Sequence, residues 1–100
     1  MNEQQVYNAI VSSLPPEKIQ GDEVAMGNDL LERLLIAFRT FLKEYVELPP
    51  KEVVLKGFEN LLDTLLLTST LPTLAKGFIR AAAMIAAEQI YLMLEKVIGN

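Results

Sequence analysis

Residues 71–98 read LPTLAKGFIRAAAMIAAEQIYLMLEKVI. Plotted at about 100° per residue, they predict one long helix in which Leu74, Phe78, Ile79, Ala82, Ile85, Ala86, Ile90, Leu92, Met93 and Val97 cover more than half the circumference. The remaining side carries Lys76, Arg80, Glu88 and Glu95, but also Met84, Ala87, Tyr91 and Leu94. A surface helix of a small monomer shows a narrower apolar stripe with a polar remainder. The larger face is therefore expected to form the core contact, leaving a second ridge, Met84, Ala87, Tyr91 and Leu94, spaced 3-4-3. That ridge is the candidate partner-binding site, with Ala87 permitting close approach and Met and Tyr enriched at interfaces. The competing expectation is a central helix that the other three wrap on every side.

Upstream, two further helices show a single apolar face each. Between Asp29 and Glu47, Leu30, Leu31, Leu34, Leu35, Phe38, Phe41, Leu42 and Tyr45 share one side. Glu32, Arg33, Arg39, Lys43, Glu44 and Glu47 share the other, with Ile36 the one apolar residue among them. Asn28 is the expected cap, followed by Asp29 in the favourable first turn. From Lys51 to Thr68 the face is Val54, Leu55, Phe58, Leu61, Leu62, Leu65 and Leu66, opposite Glu52, Lys56, Glu59, Asn60 and Asp63. Glu52 and Lys56 are expected to pair at i,i+4. A short amphipathic helix over residues 3–13, with Val6, Tyr7, Ile10, Val11 and Leu14, ends at Pro15-Pro16, because the residue before a proline is driven from helical geometry. Residues 17–27, with two glycines, carry no clear pattern. Ser69 or Thr70 is the expected cap of the last helix, with Pro72 in its first turn and Gly99 as its C-terminal cap.

The pattern predicts an all-α fold: an antiparallel bundle of about four helices, one short and three longer, forming a single domain over residues 1–100. No segment alternates apolar and polar residues long enough to make a strand. The Leu-Pro-Pro junctions at Leu14 and Leu48 do not mark a repeat, since Gly21 then falls against Leu55 and Gly27 against Leu61.

Composition excludes several chemistries. The chain has no cysteine and no histidine, which removes disulfides, thiolates, the commonest general base and the commonest metal ligand. Asp and Glu alone remain as ligands, and their spacing matches neither a calcium loop nor a di-iron bundle, so no metal or cofactor is expected. The five glycines are scattered and never form a phosphate-binding loop. A net charge of −4 opposes binding to nucleic acid. Residues 1–13 lack the charged and apolar regions of a secretory signal, and Arg80 and Glu88 interrupt the last helix, so a cytoplasmic protein with no membrane span is expected. Glu59 and Asp63 are expected to face Lys76 and Arg80 across the last hairpin as ordinary intramolecular charges. The functional expectation is a non-catalytic interaction module that associates with itself, as a dimer, or with another protein. The alternative is a carrier that encloses a lipid-like apolar ligand within the bundle.

Overall fold

In the computed structural model the described residues are 1–16 and 23–98, with side chains described for 1–16 and 27–97. They form four helices and no strand: α1 (Glu3–Ser12), α2 (Glu23–Lys43), α3 (Lys51–Thr68) and α4 (Thr73–Ile98). Each helix starts and stops for an identifiable reason. The Asn2 side chain accepts from the Gln5 N–H at 2.9 Å, and the Gln5 side chain accepts from the Asn2 N–H at 2.8 Å, closing a capping box on α1. Beyond α2, the N–H groups of Glu44 and Tyr45 turn back to the carbonyls of Phe41 and Leu42, and Leu48-Pro49-Pro50 follows. The Ser69 hydroxyl accepts from the Leu71 N–H at 3.0 Å, which shapes the turn into α4.

Three boundaries differ from the sequence expectation. α2 begins at Glu23 and runs through Gly27, so Asn28 lies inside the helix and does not cap it. A methyl group on Gly27 would meet Ile79 Cδ1 at 2.9 Å, and Leu71 lies just beyond. Close packing on α4 thus outweighs the poor helix propensity of glycine. At its other end α2 stops at Lys43, short of Glu47. α4 begins at Thr73, after Pro72, and Ser69 caps the end of α3 instead. The capping role expected of Gly99 lies outside the described residues.

Successive helices run antiparallel. Tyr45 meets Met1 and Arg33 meets the Pro15 carbonyl, which orients α2 against α1. Lys51 meets Glu88 and Asp63 meets Arg80, which orients α4 against α3. The closest packing is nevertheless between parallel pairs, α1 with α3 and α2 with α4. α2 and α3 lie across the diagonal, bridged by Phe38 and Phe58, whose rings meet edge to face at 4.8 Å.

The core comprises Val6 and Ile10, Leu34, Ala37, Phe38, Phe41 and Leu42, Val54, Phe58, Leu61, Leu62 and Leu66, and Ala83, Ala87 and Tyr91. The expected apolar faces of α1, α2 and α3 turn inward, except that Val11 of α1 is 42% exposed. In α4 the phase is reversed, which corrects the sequence reading. Ala87 is fully buried and Tyr91 is 3% exposed, while Met84 and Leu94 pack partly against the same core. The physical reason is volume: α2 and α3 fill the interior with phenylalanines and leucines, and α4 approaches them closely where its inner face is small, at Ala83 and Ala87.

Candidate interaction surface

Once its alanine face is buried, α4 must expose what lies opposite. Leu74, Phe78, Ile85, Met93 and Val97 are 76%, 71%, 65%, 66% and 76% exposed. Ala81, Ala82, Gln89 and Leu92 share that outer face and are also exposed. From Leu74 to Met93 the outward side chains include no charge. Together these side chains make a contiguous exposed apolar surface, the kind that marks an interaction site.

The residues expected to bind a partner therefore do not lie on a free surface. Met84, Ala87, Tyr91 and Leu94 do come together as one ridge, but that ridge is turned into the protomer. The structure brings to the surface the residues that sequence reasoning had assigned to the core. Of these, Ile79 and Ile90 alone pack partly on the core as expected.

The charges of α4 lie mostly on the flank toward α3. The Arg80 guanidinium donates to Asp63 at 2.8 Å and to Glu59 at 2.9 Å, as the facing ridges led one to expect. Lys76, on the same ridge, makes no ion pair among the described residues. Glu88 pairs with Lys51 at 3.2 Å. Lys56 reaches Glu59 at 3.0 Å instead of its expected partner Glu52. The Lys56 hydrogen bond is the largest cause holding the Glu59 carboxyl below the usual carboxylate range, with Arg80 adding to it. The hydrogen bond that Arg80 donates to the Asp63 carboxylate is the largest cause raising the pKa of its guanidinium. The pairs from Arg80 and Glu88 join the flank of α4 to α3.

By length and composition Thr73–Val97 could cross a membrane, and 17% of its most apolar window is buried. The helix is thus not the mostly buried core helix of an ordinary small protein. Among the described residues no cluster of three acidic side chains is arranged to hold a metal ion. On the other flank of α4, toward α2, a groove of about 600 Å³ is lined by Arg39, Ile90, Met93, Leu94, Lys96 and Val97. No family model, characterised protein or solved structure matches the chain.

Proposed function

We propose that this chain is a non-catalytic assembly module of the cytoplasm that pairs with a second copy of itself through the outer face of α4. The supporting observation is the uncharged, exposed stripe from Leu74 to Met93. The stripe is also self-complementary. Phe78, Ala81, Ile85, Gln89 and Leu92 are spaced 3-4-4-3, a palindrome about Ile85. Two antiparallel copies with their two-fold axis at Ile85 set Phe78 of one chain against Leu92 of its partner. The same axis sets the small Ala81 against Gln89. An isologous contact of this kind closes and does not propagate.

A lipid surface fits the stripe less well. Interfacial membrane helices carry Lys and Arg beside the apolar face, which draw them to anionic headgroups. Here the chain has a net charge of −4, and Glu88 and Glu95 flank the stripe on one side.

Light scattering and sedimentation of the full chain over the micromolar range test the proposal. The expected mass is twice 11.2 kDa. Ile85→Glu, which places two carboxylates on the axis, is expected to give a monomer with unchanged helical circular dichroism. A wild-type protein that stays monomeric at hundreds of micromolar would overturn the proposal. Flotation of a monomeric wild type with neutral vesicles would assign the stripe to a membrane surface instead.

A further inference from the structure

The groove between α2 and α4 points to a ligand of a different kind. Among the described residues its lining is four apolar side chains (Ile90, Met93, Leu94 and Val97) and two basic ones, Arg39 and Lys96, with no carboxylate. That selection is notable in a chain with 13 acidic residues against 9 basic ones. We propose that the groove binds a single-chain anionic amphiphile, a long-chain carboxylate, with its tail along the four apolar residues and its head at Arg39. The inference does not depend on self-association.

Arg39 is exposed and makes no ion pair among the described residues. A guanidinium offers two parallel N–H donors to a carboxylate, and a charge-assisted pair of that geometry is among the stronger hydrogen bonds. The carbonyl ends of α2 and α4 both lie at the Arg39 end of the bundle and repel anions. The head therefore seats at Arg39, one turn inside the Lys43 terminus of α2, and not at the extreme end. The volume falls within the roughly 300–1,000 Å³ of small-molecule sites, and the unbranched Met93 can adjust to an alkyl chain. The lipid-like ligand expected inside the bundle is thereby moved to its surface, since Phe38, Phe41, Phe58 and Leu62 fill the centre.

Fluorescence titration of the full chain with cis-parinaric acid, followed by displacement with oleate and with oleyl alcohol, tests the assignment. Saturable binding of one probe per chain is expected. Oleate should displace it at least about tenfold more effectively than the neutral alcohol of the same chain length, as loss of a charged hydrogen bond requires. Arg39→Glu and Val97→Asp, both at exposed positions, should each weaken binding by roughly tenfold or more without changing helicity. Ile85→Glu should leave binding intact, which separates the groove from general adhesion to the α4 stripe. Non-saturating uptake, equal displacement by the alcohol, binding that survives Arg39→Glu, or binding lost with Ile85→Glu would each overturn the proposal. A monomeric wild type would refute self-association and leave this result standing.

Discussion

The phenol of Tyr91 donates a 2.5 Å hydrogen bond to the backbone carbonyl of Pro49. Both groups are buried, and the bond ties the lower half of α4 to the connection between α2 and α3. Tyr91→Phe keeps the ring and leaves the Pro49 carbonyl buried without its donor, so chemical denaturation should show a loss of about 1–3 kcal/mol. Burial, chiefly, and the nearby Glu95 and Glu52 hold the Tyr91 phenol above the usual tyrosine range. Its folded state thus favours the protonated form. The contribution is fully present below the ordinary tyrosine pKa of about 10 and declines as the pH rises through it. Melting between neutral pH and the alkaline range should show this decline in the wild type and a smaller one in Tyr91→Phe.

Ala87→Glu should unfold the protein. Ala87 has no exposed surface, so the new carboxylate would sit in the core without a partner. The cost is several kcal/mol, against a total stability of roughly 5–15 kcal/mol for a typical domain. Ala81→Glu, on the outer face, should keep the helical circular dichroism and melt cooperatively. A folded Ala87→Glu variant would show the phase assigned to α4 to be wrong.

Two glycine substitutions should move stability in opposite directions. A Cβ on Gly57 would meet Val6 Cγ1 at 2.6 Å and the Glu3 backbone carbonyl at 2.9 Å, where α1 rests on α3. Gly57→Ala should therefore destabilise by about 1–3 kcal/mol, the usual cost of overpacking. A Cβ on Gly77 meets nothing within 4 Å. Gly77→Ala should stabilise by roughly 0.5–1 kcal/mol through helix propensity alone.

Phe38→Ala should cost about 3–5 kcal/mol and Leu62→Ala about 2–5 kcal/mol, because both side chains are fully buried at the centre of the bundle. Ile36 is 46% exposed on the polar side of α2. Ile36→Ala should change the denaturation midpoint little, by about 0.5 kcal/mol or less. Equal losses at Ile36 and Phe38 would contradict the packing.

The cluster of Glu59, Asp63 and Arg80 is exposed enough that its contribution should be about 0–1 kcal/mol and should weaken with added salt. The Glu59 carboxyl lies below its usual range in the folded state. Its contribution is thus complete above the ordinary glutamate pKa of about 4.3 and disappears as the pH falls below that value. Glu59→Gln should flatten this part of the acid-unfolding curve, while neutral-pH stability falls only slightly.

The sequence alone determined the all-α class, the chain breaks at Pro15-Pro16 and Pro49-Pro50, and the inward faces of α1, α2 and α3. Each of these rests on local information: a proline that forbids helix, or a 3.6-residue period with charges opposite a single apolar face. The buried side of α4 was not legible, because that helix is apolar nearly all round and its own pattern fits two phases. The larger side chains, Phe78 and Ile85, looked like the core, yet the buried face of α4 is the one that sets the small Ala83 and Ala87, followed by Tyr91, against the bundle. The bond from Tyr91 to Pro49 and the ion pair from Glu88 to Lys51 join residues 42 and 37 apart, distances over which periodicity carries no information. Gly27 and Asn28 became helical for the same reason, through contact with Ile79 on a distant helix. Local chemistry chose the elements. Only the fit of large side chains against small ones chose which face of α4 meets water.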